Sequence, residues 1–166
     1  MKFKNLLGLG LMLLAVGSGA QVVDKPDWTE SEAPPPPAFN PDRLVPVDMP
    51  SYVTLRFGVD PATLAITPDG IVRYVMVAKN ATGSISAMYE GIRCASGEVK
   101  TYARYSTIGR WSAVKEPQWQ ALNDNQPSRH AMALARQGAC DGRAMPARSA
   151  ADIVRALKSP APVPER

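Results

Sequence analysis

Residues 71–79 read Ile71-Val72-Arg73-Tyr74-Val75-Met76-Val77-Ala78-Lys79. A run this rich in β-branched and aromatic residues, bounded by Pro68-Asp69-Gly70 and Asn80-Ala81-Thr82-Gly83, reads as a strand between two turns. Its two faces are both apolar, Val72, Tyr74, Met76 and Ala78 against Ile71, Val75 and Val77. That pattern suits a central strand with a helix or a second layer on each side. Arg73 is the exception on it.

Working outward, the turn at Asn80 to Gly83 leads into a run from Ile85 to Cys94, and Ala95-Ser96-Gly97 leads into Glu98 to Tyr105. Connections this short force antiparallel neighbours. Upstream, Val53, Leu55, Phe57 and Val59 alternate with Thr54, Arg56 and Gly58, the mark of a half-buried strand. Asp60-Pro61 then turns the chain, and Leu64 to Thr67 makes a further short strand. After Gly109 the pattern becomes helical, with Trp111 expected to cap the sheet and Pro117 to Leu122 to form a short helical turn. Pro127 to Gln137 reads as a helix ended by Gly138. Ser149 with Asp152 makes a capping box before Ile153, Val154, Ala156 and Leu157, and Pro160 stops that helix. The expected architecture is an α+β domain over residues 51–158, an antiparallel meander of about five strands carrying two short C-terminal helices, with 159–166 disordered.

The first twenty residues have the form of a secretory signal: basic Lys2 and Lys4, an apolar stretch from Leu6 to Val16, and a small-residue cleavage site at Ser18-Gly19-Ala20. The apolar stretch is about 11 residues, short of the roughly 18–20 a membrane-spanning helix needs, so no transmembrane segment is expected after cleavage before Gln21. Residues 21–50 follow as a proline-rich acidic tail or linker, six acids against two bases, with Pro34 to Pro37 expected in polyproline II. That composition is too poor in aliphatics to pack a core of its own, and Trp28 and Phe39 are the residues able to dock on the domain. Residues 51–166 carry fifteen bases and nine acids, but the bases stand singly among apolar residues, which argues against nucleic acid.

The chain has two cysteines, Cys94 and Cys140, and one histidine, His130. Outside the cytoplasm thiols pair, so a disulfide is expected; the set falls short of a closed zinc site, and no cofactor or metal is expected.

Asp60-Pro61, Gly70-Ile71-Val72-Arg73-Tyr74, Tyr89-Glu90-Gly91-Ile92-Arg93-Cys94, Tyr102-Ala103, Trp111, Trp119 and Cys140 together resemble the cryptic neisserial protein family of exported bacterial envelope proteins. The resemblance runs from Tyr52 to Lys158, and the hexapeptide ending in Cys94 is its most specific part. It implies an envelope protein, periplasmic or lipid-anchored, with no established activity. This chain lacks a cysteine at the cleavage site, so a soluble periplasmic protein is expected rather than a lipid-anchored one.

The candidate binding residues are Arg56, Arg73, Tyr89, Glu90, Arg93 and Arg104. In one reading the arginines of neighbouring strands converge beside Tyr74, Tyr89 and Tyr102 and hold an anionic or sugar ligand, since guanidinium supplies bidentate donors and aromatic rings supply flat faces. In the other, Glu90 neutralises one or two of them in a structural cross-strand network. Glu90 and Arg93 are an odd number apart and face opposite sides of a regular strand unless a bulge at Gly91 resets them. His130 has no recognisable nucleophile motif to serve and reads as an exposed helix residue. A carboxylate pair for glycoside hydrolysis could be drawn from Glu90 and Asp69, which have simpler roles as network partner and turn former. The function expected is a small binding or adaptor domain meeting an envelope protein or anionic polymer; the alternative is a hydrolase of a cell-wall or outer-membrane polymer.

Overall fold

The computed structural model describes residues 28–123, 125, 129–142 and 145–159. The expected signal segment 1–20 and the last residues, 160–166, lie outside the described residues. In chain order the elements are β1 (Val45–Val47), β2 (Arg56–Val59), β3 (Ala65–Ile66), β4 (Ile71–Lys79), β5 (Ile85–Arg93), β6 (Glu98–Tyr105), β7 (Trp111–Ala113), β8 (Gln120–Ala121), α1 (Arg129–Leu134), β9 (Cys140–Asp141), β10 (Met145–Pro146) and α2 (Ala150–Lys158).

β4 is central, as its two apolar faces require, with β2 and the short β3 on one side and β5 on the other. The full path is β1-β2-β4-β5-β6-β7, all antiparallel, with β8 pairing β6. The α+β meander with two short helices is therefore present, but the main sheet has eight strands rather than five. The additions, β1, β7 and β8, are two or three residues long. Strands that short show no periodicity. One replaces an expected helical turn: Gln120 and Ala121 pair with Val99 and Glu98, and Leu122 N–H donates to the Gly97 carbonyl.

One face of the sheet carries Val72, Tyr74, Met76 and Ile92 and is closed by α1 and α2 through Ala131, Leu134, Ile153 and Leu157. Ser149 caps α2, its Oγ accepting from Asp152 N–H at 3.1 Å. α1 continues through a π-type turn, Ala135–Ala139, whose backbone leaves helical values at Gly138, φ 135°. A Cβ on Gly138 would lie 2.5 Å from that of Ala156, so α2 can cross there only over a glycine. The Cys94–Cys140 disulfide, Cα–Cα 5.7 Å, ties the end of β5 to the end of that turn.

The opposite face carries Val75, Val77, Ala87, Tyr89 and Ala103. Its second layer is the proline-rich segment. Phe39 packs edge-on against Tyr105 and Trp111 at 5.1 and 5.9 Å, and Leu44 lies on the same cluster. Further along, Val45 and Val47 of β1 turn into the helix-side core. Residues 28–47 thus lie on the sheet and extend it.

Candidate functional site

Strand parity distributes the six candidate residues over both faces. Glu90 pairs with Tyr74 across β4–β5 and points to the helix side; Arg73, Tyr89 and Arg93 point to the other. Between β5 and β6 the register slips: Tyr89 faces Ala103 but Glu90 faces Thr101, so Tyr102 is the extra residue of a bulge. The bulge therefore lies in β6, not at Gly91. It turns Thr101 toward Glu90 and leaves Tyr102 beside Tyr89, ring centroids 5.3 Å apart.

On the helix side Glu90 is 2 % exposed and accepts three hydrogen bonds. Thr101 Oγ1 donates to Oε1 at 3.0 Å, while Tyr74 Oη at 3.0 Å and His130 Nε2 at 2.9 Å donate to Oε2. Burial raises the carboxyl pKa, but the His130 charge and these three donors outweigh it and hold Glu90 below its ordinary value of 4.5. A carboxylate is an acceptor only, so Nε2 of His130 carries the proton. The Tyr74 hydroxyl is pushed well above 10.0 by its burial and by the Glu90 charge. His130 is 7 % exposed and stacks on Phe57 at 5.4 Å, which corrects the expectation of a solvent-exposed helix residue. The partner of Glu90 is thus a histidine; none of the four arginines bonds to it.

This cluster floors a cleft of about 110 Å³ lined by Val99, Arg104, Val114, Gln118 and Gln120. Arg104 is exposed and has no hydrogen bond or ion pair among the described residues. The volume suits one polar group of a larger molecule, since whole drug-sized ligands occupy roughly 300–1,000 Å³.

On the other face Arg73, Gly91 and Lys100 form one row across β4, β5 and β6. Two like charges in such a row repel. Tyr102 separates them, its ring 5.6 Å from the Arg73 guanidinium and 5.9 Å from the Lys100 ammonium. It crosses so close over Gly91 that a Cβ there would come 2.7 Å from Oη and 2.8 Å from Ile71 Cγ2. Residues 28–32, a strap laid across this face, complete the arrangement. Glu30 accepts from Lys100 Nζ at 2.6 Å, Tyr102 Oη at 2.8 Å and Trp119 Nε1 at 3.1 Å. Burial raises the Glu30 pKa, but these donors and the Lys100 charge bring it below 4.5. Arg73, 4 % exposed, donates to the Ser31 and Glu32 carbonyls at 2.6 and 3.2 Å. Trp28 lies on the Arg93 guanidinium at 3.7 Å and donates its indole N–H to the Asp69 carbonyl at 2.9 Å.

Arg56 shares this face by parity but pairs with Lys79, six residues along β4 from Arg73, roughly 20 Å at about 3.3 Å per residue. There it borders an apolar hollow of about 360 Å³ beside β1 and β2. The arginines do not converge on one site. Asp69 accepts from Ser31 N–H on the strap side, across the sheet from Glu90, so the two do not form a carboxylate pair. Among the described residues no group of three His, Cys, Asp or Glu side chains could hold a metal, and no helix is long and apolar enough to cross a membrane.

The model of the CNP1-like family matches residues 23–158, and the chain belongs to that family. The match takes in the strap residues as well as the sheet and helices. No curated protein and no solved structure matches the chain.

Proposed function

We propose that the protein is an exported periplasmic binding or adaptor domain that takes an anionic group of an envelope polymer or protein in the cleft over Glu90 and His130. The observation that carries this is Arg104, a guanidinium with no partner among the described residues, at a cleft whose floor already has its charges and hydrogen bonds satisfied. A charge left without an internal partner beside two amides, Gln118 and Gln120, supports recognition of a carboxylate or phosphate flanked by hydroxyls. The hydrolase reading is less well supported, because both Glu90 oxygens are committed to donors and Asp69 lies on the other face.

The test is retention of the protein on immobilised polygalacturonate, with neutral dextran as control, at low and physiological salt. Retention should fall with salt, since exposed charges are screened within about 8 Å at physiological ionic strength. Arg104→Glu should abolish retention and leave the melting temperature unchanged. Equal retention of parent and Arg104→Glu sinks the cleft reading. Release of reducing ends that Glu90→Gln abolishes would establish the hydrolase instead.

A further inference from the structure

Residues 28–32 occupy the sheet as an extended ligand would. Trp28 and Glu30 are two residues apart and point their side chains at Arg93 and at Lys100, respectively. The segment meets the sheet through anchored side chains and carbonyls, with no strand ladder formed between Trp28 and Asn40. Pro34 to Pro37 then carry the chain on to Phe39, which packs on Tyr105 and Trp111. The fit is incomplete. Arg73 Nε and Arg93 Nε are buried and make no hydrogen bond among the described residues, although Arg93 Nη1 lies 4.0 Å from a Glu98 carboxylate oxygen.

We propose that the groove of Arg73, Arg93, Lys100, Tyr102 and Trp119 is a docking surface for an extended acidic segment of a partner protein, covered in the free chain by its own residues 28–32. The occupant's chemistry follows from the groove: an aromatic residue for Arg93, a carboxylate two positions later for Lys100, and a further carboxylate for the guanidinium nitrogens that the strap leaves unpaired. A tethered strap holds its site at an effective concentration of the order of millimolar. A free segment with the same contacts displaces it only at such concentrations. Each added hydrogen bond to a guanidinium is worth about tenfold, so a partner that satisfies both nitrogens competes at roughly 10 μM. The surface lies on the opposite side of the sheet from Arg104, so its test and that of the cleft are independent.

The probe is a fluorescent peptide of residues 28–39, titrated against the parent and against Glu30→Lys, in which the strap meets Lys100 with like charge. Folding of each is checked by circular dichroism, and Trp28→Ala replaces Glu30→Lys if the latter does not fold. The loosened variant should bind the peptide at least tenfold more tightly than the parent, and a peptide carrying Glu30→Gln should lose at least tenfold. Adding Lys100→Glu to Glu30→Lys restores the opposite pair and should close the strap again, with loss of peptide binding. A folded, loosened variant that fails to bind at 1 mM, on the order of the tether's own effective concentration, overturns the proposal. So does a concentration-dependent dimer of the parent that Glu30→Lys abolishes, which would make a second copy's strap the occupant.

Discussion

Replacing Glu90 measures how much of the fold rests on one buried carboxylate. Glu90→Gln keeps the shape. Its amide oxygen can take the place of Oε2 and accept from Tyr74 and His130, while its NH₂ donates to Thr101 Oγ1, which rotates to accept. All three contacts survive as neutral bonds worth about 1 kcal/mol in place of charge-assisted ones worth about 1.5–3, and relief from desolvating the carboxylate offsets part of the loss. The expected cost is about 1–2 kcal/mol. Glu90→Leu instead leaves Tyr74, Thr101 and His130 without their acceptor, and breaking a buried pair in this way costs about 3–5 kcal/mol. In a domain of this size each kcal/mol shifts the melting temperature by roughly 3–5 °C. The sign with pH follows from the depressed carboxyl: its contribution is complete above 4.5 and is lost as pH falls through the lower folded value. Urea melts of parent and Glu90→Gln should therefore differ at pH 7 and converge in acid. A gap that stays constant from pH 7 to pH 3, or a Glu90→Leu protein as stable as the parent, refutes an ionised, histidine-paired Glu90.

Three further outcomes are expected. Removing the disulfide as Cys94→Ser with Cys140→Ser frees a loop whose ends are 46 residues apart, which chain entropy puts at about 4 kcal/mol, and non-reducing peptide mapping of the parent should find no free thiol. Gly91→Ala drives a methyl into Tyr102 and Ile71 and should cost about 1–3 kcal/mol in a thermal melt, with Trp28 fluorescence shifting red as the strap lifts. Intact-mass measurement of the protein recovered from the periplasm should give a chain beginning at Gln21, and a full-length or acylated mass would refute the export reading.

β4 and β6 begin and end where the sequence places them, because each is eight or nine residues long and bounded by turn residues. β2 is shorter than its alternation suggests, since β4 ends at Lys79 opposite Arg56 and offers Tyr52 to Leu55 nothing to pair with. Periodicity carries no information about where a partner stops. His130 is buried where its neighbours suggest exposure, although the sequence carries a signal: it lies four residues before Leu134, on the stripe that α1 presents to the sheet. The Tyr102 bulge left no such trace, and the strap showed only in Trp28 and Phe39, the two residues able to dock. Which of two adjacent residues is extra in a strand depends on its neighbour's register, and a proline-rich composition says that a segment cannot build a core, not that it cannot cover one.

The strap also bears on the order in which the chain folds. Glu30 reaches Lys100 across 70 residues and Trp119 across 89, whereas the β4–β5 and β5–β6 pairs close through short turns. Loop-closure entropy favours the hairpins first, so the strap, though nearest the N-terminus, docks after the rate-limiting barrier. Glu30→Gln should then accelerate unfolding while leaving the refolding limb of the chevron where it is, so the strap acts as a brake on opening and takes no part in the nucleus.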